Sequence, residues 1–477
     1  MRKGIIALGF ALALGGCMVG PNYQRPAVET PPSWRFEDKE ARDAANTAWW
    51  KQFQDPVLED LIQVALRENK DVLIAASRVE EFLGKYRTTR AALFPQVSAG
   101  AVAGRNRASA SGPAPLSPAM ENPANTYQVS LSASWEIDLW GKLRRADEAA
   151  KANLLSTEES RRAVILTLVT SVANAYVNLR DLDQQMEIAR RTAKSREDSY
   201  NLFLLRSQGG VISDVELSQI KSLYEEALAT IPLIQKSILQ QENALGILLG
   251  RNPGPIPRGK TMDELVLPAV PAGLPSILLA NRPDIRQAEQ NLIAANAAIG
   301  VAKAQYFPTI SLTGFLGYSS ADLSNLFTGP ARVWSYAAPL AAPIFTGGAI
   351  AGQVKAAEAV REQALLGYQQ AIQNAFREVE DGLGSQENSR EQLAAQGRQV
   401  EALDDYVRLA RLRFDNGYTS YLEVLDAERS LFNAELSRAQ TKGGLFTSLV
   451  NLYKAMGGGW VVQADELTAS AGRTSPR

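Results

Sequence analysis

The chain has no histidine and only one cysteine in 477 residues. Without histidine, Ser-His-Asp and Cys-His catalysis are excluded, and the commonest metal ligand is missing. An excess of one charge is lacking too. Lys plus Arg number 50 against 51 Asp plus Glu, so no basic field exists to attract nucleic acid. Beyond the first residues there is no apolar run that reads as a transmembrane helix. A membrane would then have to be crossed as a closed barrel. What is present is ordinary: 45% hydrophobic and 21% charged residues give no sign of global disorder.

The N-terminus reads MRKGIIALGFALALGGC. Basic Arg2 and Lys3 precede an apolar stretch from Ile5 to Leu14, then small residues and Cys17. This is the pattern of a secretory signal, expected over 1–16. Leu14-Gly15-Gly16-Cys17 resembles a bacterial lipobox, in which the cysteine is lipidated and becomes the first mature residue. The plain alternative is an ordinary signal with an incidental cysteine, which leaves an unpaired thiol in an exported protein without a role. Met18 stands where lipoproteins of the inner membrane often carry Asp, which favours the outer membrane.

The segment from about 90 to 250 returns about 207 to 213 residues later. AALFPQVSAGAVAG (91–104) matches AQYFPTISLTGFLG (304–317), and RSQGGVISDVEL (206–217) matches RFDNGYTSYLEV (413–424). The period is too long for a solenoid unit, so each copy is a structural half. Each half holds two strands. In YQVSLSASWEIDLW (127–140), Tyr127, Val129, Leu131, Ala133, Trp135 and Ile137 share one face, and Gln128, Ser130, Ser132, Ser134 and Glu136 the other. Val97 to Ala103, Ile310 to Leu316 and Trp334 to Ile344 alternate likewise. Aromatics at the ends of the apolar face and hydroxyls on the other suit a strand between lipid and a wet lumen. Four strands cannot close around an aqueous channel, so several chains are expected to share one barrel.

Long proline-free stretches follow the strands, from Gly141 to about Arg206 and from about Ala349 to Phe414. Each predicts a helix on the order of 100 Å. Partner helices are expected from about Ser213 to Leu249, kinked at Pro232, and from about Thr419 to Met456. Gly209-Gly210 and Gly417 suit the caps between paired helices.

Five separated motifs carry a family resemblance: CMVGPNYQRP (17–26), WWKQFQDPVLEDLIQVAL (49–66), WEIDLWGK (135–142), NRPDIRQAEQNLIAANAAIGVAKAQYFPTISLTG (281–314) and NGYTSYLEVLDAERSL (416–431). Together they resemble the TolC-like outer membrane factor family, in its OprM- and NodT-type lipoprotein branch. The resemblance implies a mixed α and β membrane protein. It would be a homotrimer with four strands per chain in a twelve-stranded outer-membrane β-barrel, continued by a long periplasmic α-helical barrel. It also implies a passive exit duct without cofactor or metal, which expels drugs or other small toxic molecules with a periplasmic adaptor and an inner-membrane pump. The expected domains are the signal (1–16), the lipidated segment, belt and first helices (17–90), and strands one and two (91–140). The α-barrel helices of repeat one (141–250), a linker (251–280) and a helix of repeat two (281–306) come next. Strands three and four (307–347), further helices (348–457) and a tail (458–477) complete the chain.

The resemblance further places a gate at Leu422 and Asp426, four apart on one helix face, with Glu423 reinforcing the acidic ring. Arg413 falls on a position that locks the closed tips. Phe414 stands where relatives often place Tyr, and Thr419 where they place a charge, so the lock is expected to be weaker or differently wired. The exposed turns at Gly209, Gly210, Asn416 and Gly417 are the natural contact for an adaptor. Two rivals from other classes are a coiled-coil adaptor or structural lipoprotein without a channel, and a hydrolase using Glu136 and Asp138. Neither accounts for two-faced strands repeated in both halves. Trp49-Trp50 is expected to be buried packing rather than a stacking site.

Overall fold

The computed structural model describes residues 18–28, 31, 34, 48–109, 121–270 and 279–458. The leader, Cys17, most of the loop at 106–125 and the tail beyond 458 lie outside the described residues. Helix α1 (Pro56–Glu68) precedes two copies of one element series. The first is α2 (Lys70–Ala91), β1 (Gln96–Asn106), β2 (Ala124–Ile137), α3 (Lys142–Gln208) and α4 (Asp214–Leu248). The second is α5 (Pro283–Ala304), β3 (Thr309–Ser320), β4 (Arg332–Ala337), a short β5 (Leu340–Ala341), α6 (Ala349–Asp415) and α7 (Tyr421–Ala455). Counterparts have equal lengths: 22 residues for α2 and α5, 67 for α3 and α6, 35 for α4 and α7. The chain divides into two compact units.

The first unit (Met1–Ala27, Val79–Thr157, Gln287–Tyr368) contains every strand of the described residues. The sheet is antiparallel in the order β1-β2-β3-β4, with β5 also on β3. Register sets Ala99 beside Leu131, Leu131 beside Leu316 and Leu316 beside Trp334. One apolar face therefore runs unbroken across four strands. The opposite face carries Ser98, Ser132 and Ser335 in a row, interrupted by Phe315. The apolar face is bare: Leu131 is 52% exposed and Trp334 66%. A water-soluble sheet hides that face, whereas a sheet in lipid shows it.

The fourth strand departs from expectation. The alternation from Trp334 to Ile344 predicts a single run, but regular pairing stops at Ala337 and resumes only at Leu340–Ala341. Pro339 and Pro343 interrupt it, because proline has no N–H for the ladder. Below the strands, residues 18–25 are strapped to this unit. Arg145, 2% exposed, donates to the carbonyls of Val19 and Gly20 and to Asn22 Oδ1 (2.7 Å). Gly20 and Gly300 touch so closely that a Cβ on Gly20 would stand 2.5 Å from Gly300 Cα.

The second unit (Val28–Arg78, Glu158–Arg286, Gln369–Arg477) is helical. Asp55 caps α1 by accepting from the amides of Val57 and Leu58, and it also receives the Tyr176 hydroxyl (2.6 Å) and the Lys260 amide. Around this knot pack Phe53, Leu58, Ile62, Val172, Leu179 and Leu449, all fully buried. Trp49 is 1% exposed and stacks on Tyr453 at 5.2 Å, so the Trp49-Trp50 pair is core packing. Helix α4 stays one helix through Pro232. Against expectation, α3 is long and apolar enough by length and composition to cross a membrane, but more than half of that stretch is buried in the unit's core. Packing accounts for its apolar character.

Candidate functional site: the helix tips and gate residues

The tip turns arise from glycine geometry. After α3, Gly210 adopts φ 71°, and the Val211 amide donates back to Arg206 O (2.9 Å). After α6, Gly417 adopts φ 75°, and the Tyr418 amide donates to Arg413 O (2.9 Å). Both are left-handed caps of the same design, and only glycine enters them without strain. Gly209 and Asn416 precede them, with Asn416 Nδ2 also donating to Leu412 O. Val211 and Tyr418 at the two tips are 74% and 77% exposed in the protomer.

Helix α7 begins just past the second turn and carries the residues expected to form a gate. Leu422 is 57% exposed, and Asp426 lies one turn on with half of its side chain exposed. Both line a groove of about 660 Å³ between α4 and α7, together with Gln219, Ser222, Tyr406 and Arg429. Glu423 lines the same groove. Its carboxylate takes Arg413 (2.8 Å) and the Thr419 hydroxyl, so it joins the tip residues more closely than it joins Asp426. The missing charge at Thr419 is thus replaced by a hydroxyl donor to Glu423. Phe414 makes no polar contact through its ring. It packs edge-on to Tyr421 (4.9 Å) and near Phe203, with the Arg206 guanidinium over both phenylalanine rings. Burial, reinforced by Glu428, raises the Tyr421 hydroxyl above its ordinary pKa and keeps it a neutral member of this cluster.

Two arginines near these residues escaped the sequence reading. Arg429 donates to Asp426 Oδ1 at 2.6 Å, so Asp426 has a counter-charge on its own helix. The signal was available as an Asp-Arg pair three apart. Arg196 of α3 is 2% exposed, donates Nη1 to Leu223 O (2.6 Å) and stands over the Phe432 ring (5.2 Å). Burial lowers its pKa, and its Nε and Nη2 have no hydrogen-bond partner among the described residues. No spacing rule marks an arginine that tertiary packing buries. Arg411 pairs with Glu428 (2.5 Å) and ties α6 to α7 one turn above.

The sequence profile of the outer membrane efflux protein family matches residues 61–251 and 274–458. The chain belongs to the outer membrane efflux protein family. It is 37% identical over 487 residues to the toluene efflux pump outer membrane protein TtgC of Pseudomonas putida, covering all of both chains. It is also 37% identical to the cation efflux system protein CusC of Escherichia coli, covering 94% of this chain and 97% of that one. Among solved structures, the open state of the Neisseria gonorrhoeae MtrE outer membrane channel superposes with a TM-score of 0.85 at 33% identity. That match covers 93% of this chain and 98% of that one.

As a member of this family the protein is an outer membrane efflux channel with the mixed α and β fold of the family's trimeric channels. The open four-stranded sheet is its share of the barrel wall, and the long helices are its α-helical domain. The adaptor and hydrolase rivals lose their footing, because an efflux protein profile spans both repeats.

Proposed function

We infer that three copies of the chain form a passive exit duct. It expels drugs or other small toxic molecules across the outer membrane, driven by an inner-membrane pump through a periplasmic adaptor. The single observation that carries this is the four-strand wall, whose apolar face is bare and whose hydroxyl-bearing face lies opposite. A wall of that kind separates lipid from water. Relatives are named for an aromatic solvent and for cations, which fits a conduit of broad cargo whose selectivity lies in the pump. In this reading Cys17 carries the lipid anchor. Leu422 and Asp426 narrow the closed tip, and Glu423, Arg413 and Thr419 brace it, with Phe414 packed behind them. Gly209, Gly210, Asn416 and Gly417 form the turns that meet the adaptor.

Three Leu422 side chains make an apolar constriction, and three Asp426–Arg429 pairs surround it with nearly balanced charge. The test is leak. Cells carrying the Asp426→Ala, Arg413→Ala double variant should take up a normally excluded antibiotic faster than wild type, while pump-dependent efflux persists. Unchanged uptake would remove the gate assignment and leave the channel standing.

A further inference from the structure

Basic residues are few in the strand unit, and their placement is uneven. In the segments 96–137 and 309–345 they are Arg105, Arg107 and Arg332, and lysine is missing. Arg105 stands at the end of β1, Arg107 follows it by two, and Arg332 opens β4. This is the end of the sheet away from the helices, because α2 leads into Gln96 and α3 follows Ile137 at the other end. Register fixes their face. Arg105 shares the parity of Val97 and Ala103, and Arg332 lies opposite Tyr318, itself opposite Val129. Both therefore belong to the bare apolar face, and Arg107 continues the parity of Arg105. The other charge within the described strands, Glu136, lies on the hydroxyl face at the helix end and pairs with Lys142 (2.9 Å).

A guanidinium on a lipid face is costly at the bilayer mid-plane and tolerated at its edges. The strand ends satisfy that rule. It leaves open why these arginines take the lipid face when a wet face lies one residue away. An anion at the edge of the bilayer supplies the reason. The neighbours set the level. Trp334 and Tyr336 follow Arg332 on the same face, stacked at 5.9 Å, and both rings are exposed. Tyr318, opposite Arg332, meets Phe327 edge-on at 5.6 Å. Rings of this kind sit at the depth of the headgroups, and Arg332 stands one row further out. All three arginines are exposed. No ion pair joins them to Glu121 or Asp322, the acidic residues described at this end, or to any other described residue.

We propose that Arg105, Arg107 and Arg332 bind the phosphate groups of the glycolipid that forms the outer leaflet of the outer membrane. The proposal rests on the three-copy duct described above. There the β4 edge of one copy borders the β1 edge of the next, so Arg332 stands on one side of a seam and Arg105 and Arg107 on the other. The choice of arginine fits the ligand. Its planar fork meets two phosphate oxygens at once, whereas a lysine offers a point charge. A cluster of basic side chains beside a membrane surface attracts anionic headgroups in any case. The face decides between lipid and solute here: the arginines lie above the apolar wall, where acyl chains run, and not above the lumen.

The experiment is native mass spectrometry of the full chain, extracted in detergent, stripped of lipid and titrated with lipid A. The same lipid with its phosphates removed is the control. Wild type should bind the phosphorylated form about ten-fold tighter than the Arg105→Gln, Arg107→Gln, Arg332→Gln variant does. The dephosphorylated form should bind both proteins equally weakly. Comparing the two lipids on wild type decides the matter even where the variant fails to assemble. Equal binding of both lipids by wild type, or equal binding of the phosphorylated form by wild type and variant, would overturn the site. Inorganic phosphate that displaces the lipid at equal concentration would overturn the lipid assignment in favour of a free anion. A monomeric wild-type mass would overturn the three-copy reading, whereas trimers with no lipid preference overturn this proposal alone.

Discussion

Asp181 is a partly buried charge of α3. Its Oδ2 accepts from Gln185 Nε2 (2.9 Å), while its Oδ1 is buried without a hydrogen-bond partner among the described residues. Burial raises its pKa above the ordinary carboxylate range, against the opposing pull of the Gln185 bond. An acid with a raised folded-state pKa destabilises the fold above that pKa. The cost vanishes as pH falls below the unfolded value. Asp181→Asn keeps the shape and removes the charge, so it should stabilise the protein by on the order of 1 kcal/mol per chain at neutral pH. The gain should shrink toward pH of about 4, where the wild-type carboxylate protonates in both states. Thermal unfolding of both proteins at the two pH values checks this. An equal gain at both would show that charge is not the cause. At this scale the sequence is a partial guide. The resemblance set Leu422, Glu423 and Asp426 together, and all three line one groove, but it did not name Arg413 and Thr419 as the partners of the Glu423 carboxylate. A helix wheel sets positions 422 and 426 on one face and 423 beside it, but it does not say which neighbour reaches a long carboxylate first.

Elements were legible where one physical rule governed them. Period-two alternation marked β1, β2 and β3 because each separates two different environments along its whole length. The break in the fourth strand was equally written in Pro339 and Pro343, but side-chain parity ran through them and concealed it. Parity describes faces, whereas proline acts on the ladder. The two faces of β2 make a sharp comparison. Leu131 and Ser132 are neighbours at one depth on opposite sides of the sheet, beside Leu316 and Phe315 respectively. Leu131→Lys should cost roughly 2–4 kcal/mol per chain, because an ammonium is then held in hydrocarbon. Ser132→Lys should fold nearly as well as wild type and alter conductance instead. Heat stability of the extracted trimer and single-channel current, measured on both variants, decide the matter. If Ser132→Lys is the less stable of the two, the faces are assigned the wrong way round.

The whole molecule inherits its assembly from the sheet. β1 and β4 leave two rows of unpaired backbone groups, and a bilayer supplies no water to satisfy them. A lone protomer therefore has no stable membrane form of its strand unit, whereas its helical unit has a continuous buried core. The two should part company on heating. In detergent, the strand component of the circular dichroism should disappear over the same temperature interval in which the three-chain mass falls to one chain. Helical signal should persist beyond it. A twelve-strand closure predicts that coincidence, because losing one seam exposes both of its edges at once. If monomers retained the strand signal well above the dissociation temperature, the sheet would be self-sufficient. Closure between copies would then be no part of what holds it together.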